Sequence, residues 1–243
     1  MLGDASPEAA KRYVLSHIES SMSEDLKSLE REQLDASVDE LGGRLTDLEF
    51  LARRIRAGEM PQAAVSEIIK SSASEILKLY FLGDSSKRKW SNEQAWLLVK
   101  MLAREDDLRY NEVLLHTLFS KGEEVLSALE GAEMITIVSD NGRPAAIKAG
   151  KPVYRAAFRK LQEDGALKAK MEMDIAIALM KVENANVAKY EEELSLLGSL
   201  PKQPLQLRGR ETWLLGKLEK SQLAVEEYEK EIGGLKKILG DEF

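Results

Sequence analysis

One cation stands where a helix begins, in the run Leu41-Gly42-Gly43-Arg44-Leu45. The glycine pair follows an apolar-periodic stretch that includes Val38 and Leu41, and Gly takes the left-handed backbone that closes a helix at little steric cost. A new helix is predicted from Arg44 to Ala57, with Leu45, Leu48, Leu51, Ala52 and Ile55 as its inward stripe. A guanidinium in the first helical turn opposes the macrodipole unless an anion lies nearby. Two readings are open. Either Gly42 and Gly43 make a tight helix–helix turn and Arg44 is a solvated charge, or Arg44 reaches the terminal phosphate of a nucleotide held by a preceding domain.

Other chemistry is sparse. There is no G-x-x-x-x-G-K-[ST] string to cradle phosphates, and no apolar run ending in paired acids that would hold magnesium. His17 and His116 stand alone, and a metal site needs further ligands at defined spacing. With no Cys in the chain, disulfides and thiolate sites are excluded. Taken by itself the chain is not expected to be an enzyme, and no metal site is expected.

The 243 residues are 44% hydrophobic and 32% charged, enough apolar material for one sizeable core or two small ones. Six Pro and 6% aromatics, with Ala, Leu, Glu and Lys prominent, tilt the chain toward helix, to about two-thirds or more of its length. A net charge of -7 argues against a globally basic nucleic-acid binder. No window of about eighteen apolar residues is free of charge, so no membrane span is expected, and the first residues lack the layout of a secretory signal.

Ser6-Pro7-Glu8 is a helix start, leading a stripe of Ala10, Val14 and Ile18. Residues 20–30 read as loop or frayed helix, followed by a helix from Leu34 to Leu41. Beyond Gly58, Pro61 opens a helix to Leu82 with a break expected near Ser71-Ser72. Asp84 to Lys89 reads as a solvated polar hinge carrying a short basic run. Ser91 caps the next helix, Tyr110–Phe119 and Glu123–Gly131 follow, and Ile135–Val138 with Pro144–Lys148 form a hairpin around Asn141-Gly142.

Three helices and a hairpin in that order resemble a winged helix. Groove reading is disfavoured, because the helix in the reading position carries Glu123, Glu124 and Glu130, with Glu133 beyond it and only Lys121 as a nearby cation. Arg143, Lys148, Lys151, Arg155 and Arg159 leave a weaker backbone-contact option. Pro152 starts a helix, interrupted near Gly165, whose later part carries Met180, Val187, Tyr190, Leu194 and Leu197. After Pro201 and Pro204 the last helix repeats Leu214, Leu218, Ser221, Val225, Tyr228, Ile232, Leu235 and Leu239 without a slip. Two such helices make an antiparallel coiled-coil hairpin with arms of ~45 Å and buried Val225 and Ile232.

Long strings of this sequence resemble the C-terminal part of the mitochondrial escape protein 2 family. They are GGRLTDLEFLARRIRAGEMPQAAVSEIIKSSASEILKLYFLG, KWSNEQAWLLVKMLA, RYNEVLL, GRPAAIKAGKPVYRAAF and ELSLLGSLPKQP, in family order over nearly the whole chain. The resemblance implies a branch of the AAA+ ATPases, with a nucleotide-binding domain upstream of Met1 and ATP and magnesium bound only in the full-length protein. It divides the chain into a helical AAA+ lid over 1–83, a winged-helix-like domain over 84–164 and a coiled-coil hairpin over 165–243. Arg44 is then the candidate second-sensor arginine, with Gly42 and Gly43 shaping its turn. A guanidinium suits that role because it stays charged and donates bidentately to phosphate.

The implied partners are the upstream AAA+ core, further copies in a ring, and other proteins through the coiled coil; nucleic acid is not expected. The implied setting is the mitochondrial inner membrane, with this portion soluble and facing the intermembrane space, and the implied role is maintenance of the mitochondrial genome and its nucleoids. Two rivals remain: a stand-alone helical scaffold or interaction protein, and a winged-helix DNA binder.

Overall fold

The computed structural model describes residues 4–18, 27–82, 88–119, 122–200 and 205–241. Lys121, the turn prolines Pro201 and Pro204, and most of the predicted 20–30 and 84–89 segments lie outside them. The chain is mainly helical with one small antiparallel sheet, and it forms two compact units, Met1–Asp164 and Gly165–Phe243.

In the first unit α1 (Pro7–Ile18) buries Ala10, Val14 and Ile18, as its spacing predicts, and Ser6 caps it, accepting from the Ala9 N–H at 3.3 Å. Next come α2 (Lys27–Leu41), α3 (Leu45–Arg56) and α4 (Pro61–Ile76). Along α3, Leu48, Leu51 and Ala52 are buried, but Leu45 is 46% exposed. Position 45 opens the helix, so its side chain projects beyond the packed turns.

No break occurs near Ser71-Ser72, because Ser72 and Ala73 are buried in a continuous α4. The irregularity comes later, where the backbone widens into a π-helical turn over Leu77–Phe81. The Tyr80 carbonyl at that turn accepts from the Arg88 guanidinium and from Trp90 Nε1, the latter at 3.4 Å. Arg88 also donates to Asn92 at 3.1 Å and Lys89 pairs with Glu124 at 3.0 Å, so these two basic residues tether the chain instead of standing free in solvent.

Ser91 and Gln94 form a reciprocal capping box at the start of α5 (Asn92–Arg104). A short strand β1 (Leu108–Arg109) precedes α6 (Tyr110–Leu114), and a 3-10 turn (Thr117–Phe119) leads to α7 (Gly122–Gly131). The predicted Tyr110–Phe119 helix is thus two short pieces. β2 (Ile135–Asp140) and β3 (Arg143–Ala149) close around Asn141 and Gly142, both at positive φ, as a two-residue hairpin requires.

The sheet order is β1-β3-β2, with Leu108 opposite Ile147 and Ile137 opposite Ile147 on the other side. A two-residue strand carries too little periodicity to be seen in sequence. α8 (Pro152–Glu163) buries Val153, Tyr154, Ala157, Phe158 and Leu161, and packs against α2, α4 and α5. Trp96 is fully buried, with its ring edge-on to Phe81 at 5.9 Å.

The second unit is α9 (Gly165–Gly198) packed against α10 (Leu205–Asp241). Glu193 pairs with Arg210 at 2.7 Å and Tyr190 meets Trp213 edge-on at 6.3 Å, while Glu183 acts on Tyr228. Falling numbers on α9 against rising numbers on α10 make the pair antiparallel. Leu214, Ser221 and Ile232 are buried, and the other predicted α10 seam positions are half-buried. Val225 is therefore less enclosed than expected, since two helices cover only one side of each other.

Candidate functional site

The glycine turn is held from two directions. Gly42, at φ +77, donates its N–H to the Val38 carbonyl at 2.9 Å and so closes α2. A Cβ at position 42 would sit 2.3 Å from Pro152 Cβ, and one at Gly43 would sit 2.0 Å from the Ala5 carbonyl oxygen. The Ala5 N–H donates to the Gly43 carbonyl at 2.8 Å. The turn is thereby pressed between the segment before α1 and the start of α8.

Arg44 flanks α3 instead of lying in its first turn. Its backbone is extended, at φ -74 and ψ 117, and its carbonyl accepts from the N–H groups of Asp47 and Leu48, each at 3.1 Å. The side chain is half-buried, caps nothing, and has no ion pair among the described residues. A permanently charged guanidinium without an ion pair among the described residues has the chemistry to meet an anion.

Beside it lies a polar cluster built from three helices. Asp47, in the first turn of α3, has Oδ2 buried with no hydrogen-bond partner among the described residues. Burial pushes its carboxyl above the usual range, while Arg44 and Lys151 oppose that rise. Lys151 donates to Glu75 Oε1 at 3.0 Å and lies 4.9 Å from the centre of the Tyr154 ring. The Tyr154 hydroxyl donates to the same Glu75 oxygen at 3.4 Å, and Tyr80 donates to the Ala132 carbonyl at 2.7 Å. Burial raises both phenols, Tyr154 to about 12 and Tyr80 further. Their protons are thus moved away from the range in which a general base operates near neutrality. This cluster positions helices and balances charge.

A cleft of about 420 Å³ opens on the other side of Gly42 and Pro152, lined by Lys148, Arg155 and Arg159 but also by Asp39, Glu40 and Asp106. Arg155 is paired with Asp106, and Arg159 Nε donates to the Ala103 carbonyl at 3.1 Å. Lys151 is spent on Glu75. The basic set predicted from sequence is therefore divided, and acids share the surface of the members that converge, which repels a phosphate backbone. Along α7, Glu124 binds Lys89 and Glu130 Oε1 accepts the Ile137 N–H at 2.8 Å.

The two histidines have local roles. His17 Nδ1 contacts the Tyr13 carbonyl at 2.7 Å, and His116 Nδ1 accepts the Leu118 N–H at 3.3 Å, with burial lowering its pKa. Among the described residues no group of three or more potential ligands could hold a metal ion, and no helix is long and apolar enough to cross a membrane.

The family model of the RNA12 proteins matches residues 1–200, which takes in the turn, the cluster and the cleft. The chain belongs to the RNA12 family. It is similar to the mitochondrial escape protein 2 of Phaeosphaeria nodorum, at 50% identity over 259 residues, covering 99% of this chain and 32% of that relative. The protein of the same name from Chaetomium globosum is 46% identical over 266 residues, with 99% and 32% covered, and that of Aspergillus niger 48% over 249 residues, with 98% and 30% covered. The chain thus spans about a third of the length of the curated relatives it matches. No solved structure matches it.

In this RNA12 chain the turn residues Gly42, Gly43 and Arg44 sit together as expected from their adjacency. Sequence reasoning missed Asp47, Glu75, Tyr80 and Tyr154. The Lys151–Glu75 pair joins residues 76 positions apart, and nothing in either local pattern marks the other. The one available signal was the Lys151-Pro152 helix start, which places a cation at the head of α8.

Proposed function

We propose that this RNA12-family chain is the lid, winged-helix and hairpin portion of a longer mitochondrial AAA+ protein. The observation that carries the reading is the Gly42-Gly43-Arg44 turn, which presents a half-buried guanidinium with no ion pair among the described residues at the head of α3. The order α5-β1-α6-α7-β2-β3, with strands arranged β1-β3-β2, supports the winged-helix part. The relatives' name supports the mitochondrial setting. In this reading the longer protein resides at the inner membrane, with the present portion in the intermembrane space. It maintains the mitochondrial genome and its nucleoids through assembly and partner contacts.

The upstream domain binds ATP and magnesium, and hydrolysis there supplies the driving reaction. Arg44 fits a phosphate contact because its charge is fixed and its fork donates two parallel hydrogen bonds. Gly42 and Gly43 hold the backbone that places Arg44 between the end of α2 and the start of α3. Asp47, one turn along α3, feels the charges of both Arg44 and Lys151. By itself this chain holds no phosphate loop and neither binds nor hydrolyses ATP.

The test is ATP turnover by the full-length protein. Loss of one charge-assisted contact of about 1.5–3 kcal/mol lowers turnover ~10–160-fold in Arg44→Ala. Arg44→Lys recovers only part, because an ammonium lacks the bidentate fork. Unchanged turnover in Arg44→Ala, with the variant folded, rejects the sensor role.

A further inference from the structure

A groove of about 440 Å³ runs along one side of the α9–α10 hairpin, lined by Asn186 and Tyr190 from α9 and by Lys217, Lys220, Ala224 and Glu227 from α10. Its centre is small and its flanks are charged. Ala224 leaves room for a close helix crossing, whereas Lys217 and Lys220 lie on its N-terminal side and Glu227 and Glu231 on its C-terminal side. Spacings of three, four and seven from Ala224 put all four charges on the same helical face as the alanine. All four are exposed, and none has an ion pair among the described residues.

These charges cannot neutralise one another along α10. Lys220 and Glu227 are separated by ~10 Å of helix axis and Lys217 and Glu231 by ~21 Å, at 1.5 Å per residue. Glu183, across the groove, is already engaged by Asn186 Nδ2 at 3.3 Å. The arrangement is instead self-complementary about Ala224. A second α10 laid antiparallel with its Ala224 on the first places Lys217 opposite Glu231 and brings Lys220 one residue, ~1.5 Å along the axis, from the position facing Glu227, within reach of a long side chain. A two-fold axis forms each pair twice.

The same face carries Trp213, which is 46% exposed, with Arg210 stacked on its ring at 4.3 Å and Lys217 at 5.5 Å. Trp213 and Leu235 lie equally far from Ala224 on opposite sides, so the same operation brings the indole of one copy over Leu235 of the other. Exposed Leu223 borders the groove and would be covered as well. We infer that the groove face of the hairpin is a docking surface for a second copy of this chain, crossing antiparallel at Ala224. The charge pattern selects that occupant over an unrelated helix, because a two-fold partner must bring its acidic half onto the basic half of this face, and with Lys217 and Lys220 on one side of Ala224 and Glu227 and Glu231 on the other this sequence does so. The inference is independent of the nucleotide reading of Arg44.

The experiment uses the 243-residue chain in sedimentation equilibrium over a concentration series, at low and high salt. The expected result is a monomer–dimer equilibrium that weakens with salt. Lys217→Glu with Lys220→Glu, or Glu227→Lys with Glu231→Lys, raises the dissociation constant ~10-fold or more, and mixing the two variants restores a heterodimer. Because the chain contains no Cys, Ala224→Cys reports the crossing directly: it crosslinks under mild oxidation, whereas Gln222→Cys, on another face of α10, does not. A monomer at all concentrations overturns the inference. So does a dimer indifferent to both charge reversals, or one that crosslinks through Gln222→Cys and not Ala224→Cys; an unrelated helical partner that binds the groove of a strictly monomeric chain overturns it too.

Discussion

Replacing Gly42 by Ala separates two costs that the turn imposes. A residue at φ +77 pays a backbone penalty of about 1–2 kcal/mol, offset by about 0.4–1 kcal/mol from the stiffer unfolded chain. Gly58, at φ +94, carries the same two contributions but has nothing within 4 Å of its absent Cβ. Gly42→Ala adds a methyl 2.3 Å from the Pro152 ring, which α8 and α2 must move apart to admit, at a further ~1–3 kcal/mol. The comparison with Gly58→Ala therefore isolates the packing of the turn against α8. Thermal unfolding is followed by Trp90 and Trp96 fluorescence in a Trp213→Phe background, so that the second unit does not report. At roughly 2–4 °C per kcal/mol, Gly42→Ala should melt about 2–12 °C below Gly58→Ala. Equal melting temperatures would refute the claim that the start of α8 clamps the turn.

Ile232, buried at 7% exposure, should lose about 2–5 kcal/mol on truncation to Ala, and half-buried Val225 clearly less, whereas Glu226→Ala and Lys230→Ala should cost under ~0.5 kcal/mol by urea denaturation. Tyr80→Phe removes the donor to the Ala132 carbonyl and should cost about 1–3 kcal/mol with the helical signal unchanged; no loss would show that the hydroxyl does not hold α7 to the π-helical turn. Asp47 has a folded pKa above its ordinary value of 3.8, so the native state binds more protons than the unfolded state within that window and its stability falls as pH rises through it. Asp47→Asn should abolish that fall, making its stability relative to the parent greatest above the raised pKa and smallest below 3.8; parallel urea-midpoint profiles from pH ~3 to ~7 would refute it.

Local signals in the sequence carried most of the helical architecture. Ser6 and Ser91 ended where caps belong, because side-chain oxygens beside a helix start satisfy free backbone donors regardless of tertiary context. Asn141-Gly142 likewise specified the hairpin through its positive φ values. What escaped was nonlocal. β1 exists because Leu108 and Arg109 meet Ile147 and Ala146 nearly forty residues away, a pairing with no local period. The π-helical turn is held by Arg88, from within the segment read as a solvated hinge, and by Trp90 just after it. At the candidate site Arg44 was legible from the glycines before it, but its neighbours Asp47, Glu75 and Tyr154 were not. Their roles come from α3, α4 and α8 converging, and a half-buried carboxylate on an amphipathic helix looks like any solvated one until that convergence is known.

That convergence also bears on how Arg44 could act at a distance. Two independent routes join the head of α3 to the head of α8: the steric contact of Gly42 with Pro152, and the charge field of Asp47 with Lys151, itself bonded to Glu75 on α4. A steric contact resists compression only, whereas opposite charges resist separation, so the pair constrains the two helix heads in both directions. α8 in turn is fixed along its length, with Arg159 Nε bonded to the Ala103 carbonyl of α5 and Arg155 paired with Asp106 just before β1. If Arg44 contacts a phosphate as proposed, its displacement would be passed to α8 as a rigid element and on to the loop leading into the sheet, since a packed interior transmits strain.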